Sequence, residues 1–281
     1  MSVQSFERLL RSESVAYAHL RWRRWRSRAR RCPACGERRP YRLEEGRYRC
    51  RRCRYTFGDF TGTWLGQSKV RLARWLWLLK LFELEVTAHH AAEQTGVSYP
   101  TALRAYTVLR RAILAQEEPA LLRAEVEADE SYFGGRRRGR RGRGALGKIP
   151  VFGILERRGR VEVTVVPDVT QRTLLAATVR VVKRGSLVYT DQFGGYDTLT
   201  FSGYQHLRVE HAQRFSHGRV HINGLEGFWS YAKEKLAKHH GVSPHRFPLY
   251  LYEMQFRYNH RRADLFDLLL DAVTKPVPNV L

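Results

Sequence analysis

The feature that most narrows the folding of this chain is a pair of short repeats, Cys32-Pro-Ala-Cys35 and Cys50-Arg-Arg-Cys53, which hold every cysteine in the sequence. Two Cys-x-x-Cys knuckles flanking a short loop match the ligand spacing of a tetrahedral zinc site. Gly36, directly after Cys35, suits the turn of a knuckle, and the residues between the pairs are expected to form a hairpin. Two disulfides would also use all four thiols, but no apolar export signal opens the sequence, and a reducing cytosol disfavours them. Four thiolates close a coordination sphere. Cys32, Cys35, Cys50 and Cys53 are therefore expected to hold a structural zinc, with no open position for catalysis.

Charge points to the partner. Lys and Arg number 50 against 27 Asp and Glu, a formal balance of +23, and the excess is not spread evenly. Between Arg21 and Arg54 there are 15 arginines and only three acids, Glu37, Glu44 and Glu45. Trp22, Trp25, Tyr41, Tyr48 and Tyr55 are interleaved with them. A solvated basic surface would not need that concentration. Arginines that neutralise phosphates, with aromatics able to pack or to stack on bases, suit a nucleic acid. No run approaches the ~18 apolar residues of a membrane span. The most apolar stretch, Leu72 to Val86, is broken by Arg74, Lys80, Glu83 and Glu85. A cytoplasmic, nucleoid-associated protein that makes no membrane contact is expected.

Helical periodicity runs from Gln67 to Val86, with Leu72, Trp75, Leu76, Leu79 and Phe82 on one face. Thr87 can cap a short helix that ends at Gly96, and Ser98 can cap a longer one with Pro100 in its first turn. Ala102, Leu103, Tyr106, Leu109 and Ile113 form the buried stripe of the second helix. A short helix, a glycine turn and a longer helix make a helix-turn-helix. An ordinary bundle has the same pattern. In the DNA-binding reading, Tyr99, Thr101 and Arg104 near the start of the second helix are the candidates for base contacts.

Beyond a link at Leu114 to Ala124, the period changes to two. Val126 to Phe133 reads as a strand with Glu127, Asp129 and Ser131 on one face and Ala128 and Glu130 on the other. Val151 to Leu155 and Val161 to Val166 form a hairpin around Glu156-Arg-Arg-Gly-Arg160. A helix at Gln171 to Val182, a strand at Leu187 to Asp191, a strand at His206 to Glu210 and a helix at Leu225 to Ala237 follow. This is the element order of an α/β, RNase H-like domain, a mixed sheet with flanking helices. Asp129 on the first strand, Asp191 at the end of the fourth and Glu226 on the following helix can meet in such a fold. Three carboxylates can hold two divalent ions, for which magnesium, or manganese in its place, suits an all-oxygen set. Taken singly, Asp191 could be a loop residue and Glu226 a surface charge; the conjunction is what is specific.

Asp129-Glu-Ser-Tyr-Phe-Gly-Gly135, Tyr189-Thr-Asp191 and His221-Ile-Asn-Gly-Leu-Glu226-Gly-Phe-Trp229-Ser-Tyr-Ala-Lys233 resemble DDE transposases of bacterial insertion sequences. The nearest resemblance is to the zinc-ribbon, ISXO2-like (IS1595) group, and Glu253-Met-Gln-Phe-Arg-Tyr-Asn259 is similar to that group as well. The likeness runs from the ribbon to about Arg262. It implies binding of element ends and target DNA, metal-dependent strand cleavage and strand transfer, and at least a dimer on DNA. Asp129, Asp191 and Glu226 would be the metal ligands. Some members carry Asn as the third residue, and Asn223 shares a helix face with Glu226; the carboxylate is preferred for a hard cation. Lys233, two turns beyond Glu226 on the same face, would hold a DNA phosphate. Trp229 is expected in the core, or beside a displaced base. His217 and His221 are not expected as ligands, since hard ions prefer oxygen. The Arg136 to Gly144 run is a loop that DNA could order, or a solvated one.

Three domains are expected: residues 1–60 a zinc ribbon with a basic lead-in, 61–124 a helix-turn-helix, and 125–281 the catalytic domain. The alternatives are an RNase H-like nuclease or resolvase without strand transfer, a non-enzymatic DNA-binding regulator built from a transposase, and a zinc-ribbon transcription factor. The last leaves the strand-rich half unexplained.

Overall fold

The computed structural model describes residues 1–26, 29–117, 121–134, 147–191, 200–209 and 221–278. The chain separates into two compact units, Met1–Glu117 with Arg262–Leu281, and Glu118–Arg261. The arginine run from Arg136, His217 and the end of the expected strand at Glu210 lie outside the described residues.

The first unit opens with helices α1 (Val3–Leu9) and α2 (Glu13–Arg24). A small antiparallel sheet of β1 (Tyr41–Arg42), β2 (Tyr48–Arg49) and β3 (Thr56–Phe57) follows. Then come α3 (Leu72–Glu83), α4 (Ala88–Thr95) and α5 (Tyr99–Leu114). Thr87 caps α4 through its side chain, which accepts from the His90 N–H, and Gly96 closes the helix at φ 67°. Both are as the sequence leads one to expect. Ser98 departs from expectation: it precedes α5, but its side chain makes no capping bond and its hydroxyl meets that of Thr101 at 2.9 Å. The start of α3 is capped from a distance. Glu13 of α2 accepts from the Leu72 and Ala73 N–H groups at 2.6 and 3.2 Å.

The unit is completed by the C-terminal helix α9 (Leu265–Thr274), which the expected third domain had assigned to the other half. Phe266, Leu269, Leu270 and Val273 of α9 are buried, and the helix packs on α2, α3 and α5. Arg23 of α2 binds Asp267 and Asp271, the latter at 2.9 Å. After α9 the chain pairs with the segment after the ribbon, Val277 N–H donating to the Gly62 carbonyl at 2.8 Å. The reason is geometric: apolar faces of α2, α3 and α5 need a partner, and only a three-dimensional closure supplies one.

The second unit is a five-stranded sheet. Its strands are β4 (Glu125–Phe133), β5 (Ile149–Glu156), β6 (Val161–Val165), β7 (Leu187–Thr190) and β8 (Gln205–Arg208), in the spatial order β6-β5-β4-β7-β8. The first three are antiparallel; β7 and β8 join in parallel. Alternation along β4 and β5 gives the sheet two apolar faces. Val126, Ala128, Phe152 and Ile154 pack toward α6 (Gln171–Val181) through Leu174. Phe133, Val151 and Leu155 pack on α7 (Asn223–Ala237) and α8 (Phe247–Asn259). The free edge of β6 is covered by α8. Gln255 accepts from the Val163 N–H at 2.9 Å, and Asn259 both accepts from the Val161 N–H and donates to its carbonyl, at 2.8 and 3.0 Å. No helix among the described residues is long and apolar enough to cross a membrane.

Leu270 is fully buried in α9. Leu270→Ala is expected to cost about 2–5 kcal/mol and to accelerate amide exchange in α2, α3 and α5. Exchange that rises only within the sheet unit would contradict the placement of this helix.

Candidate metal and nucleic-acid site

The four thiols are brought together. Their Sγ atoms lie within 4.8 Å of one another, with Cys32 to Cys53 at 3.6 Å and Cys35 to Cys50 at 3.5 Å. Thiolates at ~2.3 Å from a tetrahedral ion stand about 3.8 Å apart, whereas a disulfide needs ~2.05 Å, so the cluster fits a structural zinc. The Cys53 N–H points at Cys50 Sγ from 3.5 Å and holds that thiol down to about 7, while in the same cluster burial pushes the Cys32 thiol up and Cys35, despite a backbone bond from Glu37, is pushed up to about 12. Asp59 ties the ribbon to α2 by accepting from Trp25 Nε1 at 2.7 Å and the Tyr17 hydroxyl at 2.6 Å. Burial, and then this bond to Asp59, push the Tyr17 hydroxyl up to about 12.

At the expected DNA-facing helices, Tyr99 and Arg104 are exposed and Thr101 is half-buried. Close by, His89, His90 and Glu93 of α4 form an exposed cluster that the sequence analysis did not single out, with the His89 ring 6.0 Å from that of Tyr99.

In the second unit, β4 and β7 are adjacent and parallel, with Glu125 opposite Leu187 and Glu127 opposite Tyr189. Two residues further along each strand, the same register brings Asp129 level with Asp191, just past the end of β7, and alternation puts both on the face under α7. Burial first, then the neighbouring charge of Glu130, push the Asp129 carboxyl up to about 7; Asp191 adds to this, while Trp229 opposes it. Trp229 Nε1 donates to Asp129 Oδ2 at 3.0 Å. The indole lies over Gly153, the residue paired with Asp129 on β5, where a Cβ would stand 2.6 Å from the ring. Trp229 is thus a core residue, as expected, and also a partner of the first acid, which was not expected.

Glu226 and Asn223 lie exposed on the first turns of α7. Asp129, Asp191 and Glu226 are not drawn to within 4.8 Å of one another; among the described residues only the cysteine and His89 groups are. Lys233 is exposed, with its Nζ 5.7 Å from the centre of the Phe133 ring. It borders a cavity of about 440 Å³ that Tyr132, Gly134 and Phe247 also line.

The sequence reasoning passed over Glu127 and Arg157. Glu127 is 1% exposed, and it accepts from the Leu225 N–H at 2.9 Å and from Arg157 Nε at 3.2 Å. The signal was its place on the Asp129 face of β4.

Three antiparallel strands, two parallel ones in the order β6-β5-β4-β7-β8 and helices on both faces define an RNase H-like α/β domain. Residues 121–259 match the ISXO2-like transposase domain, and residues 11–56 the transposase zinc-ribbon domain. Over 259 residues the chain is 32% identical to an uncharacterized protein in transposable element ISH50 of Halobacterium salinarum, spanning 83% of this chain and 86% of that one. An uncharacterized transposase-like protein of Haemophilus influenzae is 41% identical over 101 residues, 36% of this chain and 82% of the relative. The chain belongs to the ISXO2-like transposase family. Among solved structures it is similar to the catalytic core domain of BIV integrase, at 12% identity over 53% of this chain and 94% of that one, with a TM-score of 0.35. It is also similar to a Mos1 transposase chain in a pre-cleavage transpososome, at 13% identity over 72% and 79%, with a TM-score of 0.30.

Two outcomes are expected. Elemental analysis should find one zinc per chain, and Cys50→Ser should lose it and unfold β1–β3 while the sheet unit stays folded; a zinc-free native protein would contradict this. The second concerns Asp129. Its folded pKa of about 7 lies above the usual carboxylate value. Stability is therefore full when the acid is protonated at low pH, and is lost as pH rises through 7. Without divalent cations, Asp129→Asn should raise unfolding stability at pH 8 by on the order of 2–4 kcal/mol and by much less at pH 5. Denaturant titrations at both pH values check this; an equal change at both would exclude the titration as its cause.

Proposed function

We propose that this protein is a DNA transposase that binds the ends of an insertion element and carries out metal-dependent strand cleavage and strand transfer. The observation that supports the reading is the parallel register of β4 and β7, which, continued by two residues, sets Asp129 beside Asp191 just past β7, with Trp229 of the Glu226-bearing helix bonded to Asp129. Membership of a transposase family supports it. Magnesium or manganese, held by these three carboxylates, would activate the attacking oxygen and stabilise the leaving one. Trp229 orients Asp129 through its bond to one carboxylate oxygen, and the carboxylate so held would serve as a metal ligand. Lys233, two turns along α7, holds a phosphate of the bound strand. Asn223 remains the alternative to Glu226 as third ligand.

The basic N-terminal unit recognises the ends. Arginines of α2 and the ribbon contact phosphates, and Tyr99, Thr101 and Arg104 read bases from the start of α5. Because α9 completes this unit, the piece that binds DNA is residues 1–117 together with 262–281, not the N-terminal segment alone. Joining two element ends calls for at least two copies of the chain on DNA.

Labelled element ends incubated with protein and magnesium test this. Asp129→Ala, Asp191→Ala and Glu226→Ala should each abolish cleaved and joined products while leaving end binding largely intact. Lys233→Ala should lower the rate on the order of 10-fold, through lost positioning. If Asn223→Ala is inactive and Glu226→Ala active, the third ligand is Asn223. Full magnesium-dependent activity in all three acid variants would refute the three-carboxylate site. Cleavage without joining would favour a nuclease or resolvase.

A further inference from the structure

Helix α7 lacks a cap of its own: Ile222, which precedes it, makes no side-chain capping bond. A buried carboxylate from the central strand takes that place. Glu127 Oε2 accepts the Leu225 N–H at 2.9 Å, and a Cβ on Gly224 would stand 2.9 Å from the same oxygen, so helix and carboxylate are in close contact. The other oxygen, Oε1, takes Arg157 Nε at 3.2 Å. Arg157 stands in the turn between β5 and β6, which carries none of the three acids. It uses its whole guanidinium. Nη1 donates to Glu125 Oε2 at 2.9 Å and Nη2 to the His221 carbonyl at 2.6 Å. The plane lies 3.8 Å from the centre of the Tyr189 ring, and the Tyr189 hydroxyl donates to Glu125 at 3.0 Å.

Each anchor falls beside one of the acids. Glu127 is two residues before Asp129, Tyr189 two before Asp191, and Leu225 one before Glu226. We infer that Glu127 and Arg157 are positioning residues, a buried clamp that fixes β4, β7 and the first turn of α7 relative to one another, and so sets the spacing of the three carboxylates. This rests on the proposed three-carboxylate site. A guanidinium fork is needed, because a lysine ammonium carries its three donors on a single nitrogen, too close together for partners this far apart, and has no plane to stack on a ring.

The test uses the full chain and four variants: Glu127→Gln, Arg157→Lys, Arg157→Ala and, as a mild control, Tyr189→Phe, which keeps the ring under the guanidinium. Amide exchange at residues 223–226 reads the clamp directly, without reference to activity. Manganese binding, followed by its paramagnetic resonance signal, and single-turnover cleavage of labelled ends read its consequence. Glu127→Gln and Arg157→Lys should exchange faster at the start of α7. They should also bind manganese and cleave about 10- to 100-fold more weakly, with unchanged affinity for DNA ends; Arg157→Ala should lose more, and Tyr189→Phe little. Normal exchange, or normal manganese affinity and cleavage, in folded Glu127→Gln and Arg157→Lys variants overturns the inference. So does a parallel loss of DNA binding, which would mark a general folding role. Wild-type protein that binds no manganese and cleaves nothing refutes the carboxylate site itself, and the clamp's positioning role with it, while faster exchange in the variants would still establish the contacts.

Discussion

A helix laid across a sheet can slide along the strands unless something polar fixes it, because apolar contacts alone tolerate small shifts. Here α7 is fixed to β4 at two points, Leu225 N–H on Glu127 and Trp229 Nε1 on Asp129. Two residues of strand advance about 6.6 Å and four residues of helix about 6.0 Å, so the two bonds are in step. A shift by one residue would break both, taking from Glu127 and Asp129 the donors that α7 supplies. Gly153 allows the fit, since any side chain there would collide with the indole. The rest of the site inherits its geometry from this alignment.

The N-terminal unit is held by polar contacts of a different kind. Its elements are short, and the ribbon's own core is only Cys32, Tyr48, Cys50 and Phe57 with Cys35 packed against it. Acids join the pieces: buried Asp59 holds α2 to the ribbon, exposed Glu13 caps α3, and half-buried Asp267 and Asp271 take Arg23. In so basic a chain acids are scarce, and these serve as internal joints.

Much of this was legible in the sequence because it rests on local spacing. The cysteine knuckles, the Thr87 and Gly96 ends of α4 and the two-residue alternation of β4 each follow from neighbours in the chain. The pairing of β4 with β7 at the sheet centre followed from strand order. What escaped depends on distant closure. Nothing near Leu265–Thr274 says that its apolar face belongs against α2 and α5 instead of the adjacent sheet unit. Ser98 has the right residue type for a cap, yet its hydroxyl bonds to Thr101. Glu127 was visible as a face-mate of Asp129, but a carboxylate serving as another element's cap has no sequence signature. Arg157 looked like any turn residue.

The amide side chains of Gln255 and Asn259 on α8 present to β6 what a neighbouring strand would present, spaced to its backbone. An open sheet edge invites pairing with an identical chain. With this border already occupied, a second copy finds no template there for a growing intermolecular sheet. Helix α8 thereby acts as a terminator that ends the sheet at β6.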